Sequence, residues 1–202
     1  MNIMTIKQTS PGRLTVCFED NTEVKSTLGV VTDMRLFSGK ELDGEELETF
    51  LPSSRRALAR EKALEYISRR QMSGKELRSK LVQKGIGEDD ADFCVQWLSD
   101  NGFINDESYS AAIARHYAGK GYGAGRVRAE LSRRGIDRDL WEGAVGSMPD
   151  SSDKISRFIA SRLTDPDDRD QVRKISQALF RRGYSWDEIR SALADFSVDP
   201  ED

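Results

Sequence analysis

Two acidic groups, Glu88-Asp89-Asp90-Asp92 and Asp165-Asp167-Asp168-Asp170, have the composition of a divalent-cation site, which a nuclease would use to polarise a phosphodiester. Both stand where helices are expected to start, and the helix dipole favours carboxylates there without any metal. His116 is the only histidine, so His-based triads and His-rich metal clusters lack their parts. Cys17 and Cys94 are far apart and neither belongs to a CxxC pair. They read as small buried hydrophobes rather than as a disulfide or a zinc site. Gly119-Lys120-Gly121-Tyr122-Gly123-Ala124-Gly125 has the glycine content of a phosphate-binding loop. It lacks the Gly-Lys-Ser/Thr ending and follows a helical run instead of a strand, so nucleotide binding is not expected. Lys120, Tyr122, Arg126 and Arg128 still gather cations and an aromatic ring around pliable backbone, a combination suited to phosphate contact and base stacking. The segment reads equally as an interhelical turn alone and as a turn with that contact role. No catalytic residue, cofactor or metal is expected.

The elements that would position these residues are set by an internal repeat. Leu81-Val82-Gln83-Lys84-Gly85-Ile86, Leu131-Ser132-Arg133-Arg134-Gly135-Ile136 and Leu179-Phe180-Arg181-Arg182-Gly183-Tyr184 share Leu, two residues, a cation, Gly and an apolar residue. An apolar residue precedes each Leu by one helical turn, at Leu77, Val127 and Ile175, and a second apolar face follows each Gly at Ala91 and Val95, Trp141 and Val145, and Ile189 and Leu193. Each Gly is expected to close a helix in the left-handed conformation, with the preceding cation complementing the helix dipole. A unit this small cannot bury a core unaided, so neighbouring copies must share contacts and an elongated array is expected.

The net charge of −4 conceals an alternation. Segments 1–54, 55–84, 85–114, 115–138, 139–172, 173–190 and 191–202 carry −4, +7, −7, +5, −4, +3 and −4. Basic blocks fall on the helix before each repeat Gly, so stacked repeats would set basic helices along one surface able to follow a polyanion. The plain alternative is a set of solvated helix faces with dipole-matched charge. A mean hydropathy of −0.61 and the absence of a long apolar run argue against a membrane span, and the first residues lack the pattern of a secretory signal. A cytoplasmic location is the expectation. No heptad seam argues for a dimer, so a monomer is expected.

Residues 1–51 differ from the rest and read as a small appended α/β module. Leu14–Phe18 and Val24–Leu28 flank a polar turn as a β-hairpin, Val30-Val31 is a candidate further strand, and Glu45-Glu46-Leu47 begins a short acidic helix. Pro52 suits the first turn of a long helix to about residue 70, with Leu58, Leu64 and Ile67 inward. Repeats are then expected over 52–106, 107–150 and 151–198, with helices near 55–70, 74–84, 88–101, 106–119, 124–134, 138–147, 152–163, 166–182 and 186–196. Ser73 with Glu76 and Ser185 with Glu188 fit capping boxes, Asn105 or Asp106 marks a helix start, and Asp165-Pro166 marks another. Trp97, Trp141 and Trp186 all fall in the third helix of a repeat and are expected as core anchors.

The run Arg115-His116-Tyr117-Ala118-Gly119-Lys120-Gly121-Tyr122-Gly123, continuing through Arg126-Val127-Arg128-Ala129-Glu130-Leu131 to Arg134-Gly135-Ile136, resembles the central signature of the bacterial RecX regulatory proteins. Glu76-Leu77-Arg78-Ser79-Lys80-Leu81 and the stretch Asn101 to Tyr109 are similar to the first repeat of that family. The resemblance covers about 57–196. It implies tandem three-helix repeats that lie in the groove of a RecA recombinase filament on DNA. Such proteins restrain the filament's ATPase and strand exchange, by capping or destabilising it, without a catalytic centre. The module at 1–51 is absent from shorter members, and the third repeat keeps little of the signature beyond Leu179 and Arg182-Gly183-Tyr184.

On this reading the contact residues are Lys75, Arg78, Lys80 and Lys84 in the first repeat and Arg115, Lys120, Tyr122, Arg126, Arg128, Arg133 and Arg134 in the second. The partners are the RecA filament and, weakly or only within it, single- or double-stranded DNA. One rival is an autonomous DNA-binding repeat protein, whose affinity would rest on counterion release. A metal-dependent nuclease using Asp167 and Asp168 is a distant third.

Overall fold

The computed structural model describes residues 1–196; positions 197 and 198, assigned above to the third repeat, lie outside the described residues. The chain forms two compact units, Met1–Ile104 and the residues from Asn105 onward.

The first unit opens with an antiparallel meander, β1 (Ile3–Ser10), β2 (Arg13–Phe18) and β3 (Glu23–Thr27). The expected hairpin is β2 with β3. Strand β1 was not anticipated, because only Ile3 of its residues is buried and its apolar signal is thin. Val30 and Val31 are a correction: they lie in helix α1 (Leu28–Asp33), started by Thr27, whose Oγ1 accepts from Val30 N at 3.4 Å. Burial of both valines against Ile3, Val16, Phe18 and Phe50 outweighs the strand preference of β-branched side chains.

Helix α2 (Gly44–Arg69) corrects a second expectation, since one helix runs where a short acidic helix and a separate one starting at Pro52 were expected. Asp43 and Glu46 form a reciprocal capping box, and Pro52 sits inside the helix. The lost backbone bond is tolerated because α2 is held on both sides of Pro52: Phe50 and Ala57 enter the sheet core, and Ala59 and Ala63 enter the core of the first repeat. Ser26 and Ser54 close the buried junction between sheet and helix with a 2.9 Å hydroxyl contact. The inward face is therefore made of small residues. Leu64 is exposed, contrary to expectation, while Leu58 and Ile67 are half-buried.

The first repeat is completed by α3 (Gly74–Gln83) and α4 (Glu88–Asp100), which bury Leu77, Leu81, Ala91, Cys94 and Leu98. The second unit holds α5 (Asp106–Gly119), α6 (Ala124–Arg133) and α7 (Trp141–Gly146), the last entered through a 3-10 turn at Arg138–Leu140. Then come α8 (Ser152–Ala160), α9 (Arg169–Arg181) and α10 (Trp186–Ala194). Each triplet has its own apolar cluster, around Val127, Leu131 and Ile136 in one case and Ile159, Leu179 and Ile189 in the other. Helix α9 starts later than expected: Asp168, not Asp165, caps it, its carboxylate accepting from Asp170 N and Gln171 N, and Pro166 precedes the helix. Asn105 caps α5, accepting from Ser108 N, and Ser185 with Glu188 forms a complete capping box.

The repeat glycines behave as their spacing requires. Gly85, Gly135 and Gly183 have φ of 84°, 69° and 90°. In each copy the Gly N–H and the next N–H turn back onto the last carbonyls of the helix; Ile86, Ile136 and Tyr184 donate to Leu81, Leu131 and Leu179 at 3.2, 3.0 and 3.3 Å. This is the Schellman closure, in which a left-handed residue satisfies carbonyls that the helix leaves open.

Candidate functional site

Helices α3 and α6 carry most of the cations singled out in the sequence. Their charges divide into two sets. In the first, the guanidinium is engaged within the chain. Arg78 forks to Asp92 and reaches Glu88 at 3.0 Å, and Arg128 forks to Glu142 with both bonds at 2.8 Å. These two clamps are the same device, because Arg78 and Arg128 stand seven residues before their repeat Gly and Asp92 and Glu142 stand seven after. They tie the second helix of a repeat to the third. The hydrogen bonds hold both guanidinium pKa values above the ordinary range and the Asp92 and Glu142 carboxyls below theirs. In the sequence Asp92 reads only as helix-start charge and Glu142 is not singled out; the symmetric spacing about the glycine was the available signal.

Arg133 and Arg134 also bond internally. Both donate to Glu130, a buried carboxylate with a side chain 6% exposed, and Arg134 in addition bonds the Tyr109 hydroxyl. Hydrogen bonding from Arg133, followed by that from Arg134, draws the Glu130 pKa down to about 2. A buried carboxylate this well satisfied is a structural fixture of the second repeat.

The second set has no carboxylate partner among the described residues: Lys75, Lys80, Lys84, Arg115, Lys120 and Arg126. Lys80 lies 5.9 Å from the Tyr66 ring centroid and Arg126 lies 5.8 Å from that of Tyr122. Lys75, Lys84, Arg115, Lys120 and Arg126 are exposed.

The glycine-rich segment has a structural reason that spacing alone did not show. Gly123 N donates to Arg182 O and Gly125 N to Gly183 O, each at 2.9 Å, so the start of α6 and the closing turn of α9 meet backbone to backbone. A Cβ on Gly123 would stand 2.5 Å from Gly183 O, and one on Gly183 would stand 2.2 Å from Arg126 N. Only glycine permits this approach. Tyr122 is half-buried beside the joint, its ring 5.6 Å from that of Tyr117.

The other candidates have local roles. Asp90 is buried and pairs with Arg55 and Arg56, while Glu88, Asp89 and Asp90 occupy the first turn of α4. Asp165 accepts from Asp167 N, and Asp170 pairs with Arg173. Among the described residues no group of three or more His, Cys, Asp or Glu is placed to hold a metal ion. His116 is exposed, with its ring edge-on to Tyr117. Cys17 and Cys94 are buried, and burial pushes the Cys94 thiol up to about 11. Trp97 and Trp141 pack against their repeat cores, but Trp186 is a correction: it is half-exposed and stacks on Phe180, centroids 4.9 Å apart. No helix among the described residues is long and apolar enough to cross a membrane.

Comparison with known proteins places these elements in register. Three family models match in order, RecX first three-helix domain over 59–98, second over 105–145 and third over 160–193. A protein of Xanthomonas axonopodis pv. citri named Regulatory protein RecX is 36% identical over 135 residues, which are 65% of this chain and 83% of that one. One of the same name from Stenotrophomonas maltophilia is 34% identical over 160 residues, 75% of this chain and 96% of its own. A crystal structure described as regulatory protein RecX superposes with a TM-score of 0.73 at 20% identity, covering 96% of this chain and 98% of its own. That coverage has to include most of the sheet module, so the fold likeness is not confined to the helical repeats.

Proposed function

Since the chain belongs to the RecX family of regulatory proteins, we propose that it binds the RecA recombinase filament and restrains its ATPase and strand exchange, and so modulates recombination and repair in the cytoplasm. The observation that carries this reading is the repetition of one basic-helix, Gly-turn, helix unit at near-constant spacing, which is suited to a partner that is itself a repeating polymer. The unengaged cations Lys75, Lys80, Lys84, Arg115, Lys120 and Arg126 are its contact residues, and Tyr122 supports Arg126. Arg78, Arg128, Arg133 and Arg134 act mainly by fixing the helices that present them, because their hydrogen-bonding edges are already engaged. Regulation on this reading is binding alone, with no reaction catalysed by the regulator, which acts as a monomer.

The test is single-stranded-DNA-dependent ATP hydrolysis by the host's RecA, titrated with this protein. Inhibition well below one regulator per RecA subunit supports control of filament ends or assembly. Inhibition only near saturation supports coating of the filament groove. No effect at any ratio refutes the reading, and inhibition that merely tracks occupancy of naked DNA replaces it with autonomous DNA binding.

A further inference from the structure

Guanidiniums and aromatic rings alternate across the second and third repeats. Arg126 lies 5.8 Å from the Tyr122 centroid, and Arg182 lies 6.0 Å from that ring and 4.6 Å from the Phe158 centroid. Arg162 lies 4.0 Å from Phe158. The 119–125 turn, α6, α8, the turn that follows α8 and the closing turn of α9 thus contribute to one file: Arg126, Tyr122, Arg182, Phe158, Arg162. It crosses the glycine joint, whose backbone bonds hold together the segments that bear Tyr122, Arg126 and Arg182.

The charge of the file is uncompensated. Arg126, Arg162 and Arg182 have no carboxylate within ion-pair distance among the described residues, and the side-chain hydrogen bonds of Arg162 and Arg182 go to neutral oxygens. The adjoining cations are alike: Lys154 donates to Ala118 O at 2.6 Å and Lys120 is exposed without a carboxylate partner. Arg13, Arg55, Arg69, Arg70, Arg173 and Arg190 sit in ion pairs, whereas the guanidiniums of the file, like those of Arg115 and Arg138, are in none among the described residues. A guanidinium resting on a ring keeps its charge and a set orientation, with N–H groups left to fork onto an anion.

We infer that this file is a track for the phosphodiester backbone of a nucleic-acid strand. Three forked donors in a row match a ligand whose charge recurs at fixed short spacing along one chain, as phosphates do. Carboxylates on a protein surface stand on independent side chains and have no such period. The rings are covered by guanidiniums, so the track takes phosphates and leaves bases unread, which gives sequence-independent binding. The track deepens the proposed function, naming where DNA would run on the regulator, and it adds Arg162, Arg182 and Phe158 to the residues singled out in the sequence.

The experiment is fluorescence anisotropy of a labelled oligothymidylate with the full chain, without RecA, across roughly 50 to 200 mM salt. R126Q and R162Q both alter exposed side chains, and circular dichroism checks that each variant is folded. Each is expected to weaken binding severalfold at low salt and to reduce the slope of log affinity against log salt by about 0.7, the increment for one phosphate contact on a single strand. R190Q, which removes a cation paired with Asp187 outside the file, should leave the slope unchanged. An unchanged slope in both R126Q and R162Q, no binding by the unsubstituted protein at low salt, or equal displacement by poly-glutamate at matched charge overturns the track. The RecA ATPase titration is read separately. Absence of any RecA inhibition by the unsubstituted protein, with the salt slopes as expected, would sink the filament reading and uphold the track.

Discussion

Gly85 and Gly183 occupy the same repeat position with nearly the same φ, 84° and 90°, but in different surroundings. A Cβ at 85 meets no atom within 4 Å, whereas one at 183 would stand 2.2 Å from Arg126 N and 3.0 Å from its Cα. Gly85→Ala therefore isolates the cost of placing an L-residue in the left-handed region, roughly 1 to 2 kcal/mol. Gly183→Ala adds a collision with backbone that cannot rotate away. Relief requires the closing turn of α9 to withdraw from α6, which breaks the bonds from Gly123 N to Arg182 O and from Gly125 N to Gly183 O. At about 1 kcal/mol for each backbone bond, Gly183→Ala should cost about 2 kcal/mol more than Gly85→Ala. For a unit of this size that is an additional loss on the order of 10 °C in Tm. Urea unfolding followed by circular dichroism gives the free energies. Amide exchange locates the effect, which should appear as lost protection in the 119–125 turn and the start of α9's closing turn for Gly183→Ala only. Equal costs for the two variants, or unchanged protection at Gly123 and Gly125, would refute the account of the glycine-rich segment as a backbone joint.

Three further expectations concern charge and burial. The Glu130 pKa is depressed from 4.5 to about 2, so its contribution is present above pH 4.5 and is lost as pH falls toward 2. That contribution is on the order of 3 kcal/mol, and Glu130→Gln should flatten the acid limb of stability measured by urea midpoints at stepped pH. Glu142→Gln releases Arg128 from its clamp and should steepen the salt dependence of oligothymidylate binding by up to about 0.7; a shallower slope would contradict the division of cations into engaged and available. Cys94, buried with its thiol raised to about 11, should resist alkylation at pH 8 in the folded protein and react on unfolding, and rapid native labelling would show that the first-repeat core opens.

The sequence reported the repeat because its signals are local. A left-handed Gly, the cation before it and apolar residues at helical spacing are needed in every copy, so Leu81, Leu131 and Leu179 could be aligned and are all fully buried. What it concealed depends on contacts far along the chain. The joint between Gly123 and Gly183 spans 60 positions, and no spacing within the Gly119–Gly125 run distinguishes a glycine needed for close approach from one that closes a turn. Pro52 misled for the same reason: its local meaning is a helix start, and only packing on both sides of it carries α2 through. Trp186 misled in the opposite direction, since the core position in α10 goes to Ile189 and the indole is left to stack on Phe180. The site was legible as a set of cations and illegible as a pattern of engagement, because formal charge does not say which arginines already hold a carboxylate.

That pattern changes the meaning of the charge alternation. Counted along the chain, α3 and α6 look like net-basic helices, and the acidic blocks after them look like separate features. In space the acidic residues of α4 and α7 close onto Arg78 and Arg128, so each basic helix spends its innermost guanidinium on the next helix of its own repeat. An arginine so clamped offers little to a partner, because taking it would mean breaking two hydrogen bonds to make two. Lys75, Lys80, Lys84, Arg115, Lys120 and Arg126 hold no carboxylate among the described residues, and under the proposed function they are the cations that a filament or a nucleic-acid strand would engage. A protein of net charge −4 can in this way present local cationic tracks while repelling polyanions at a distance, which favours binding where a partner presents many sites in register over indiscriminate adhesion to free DNA.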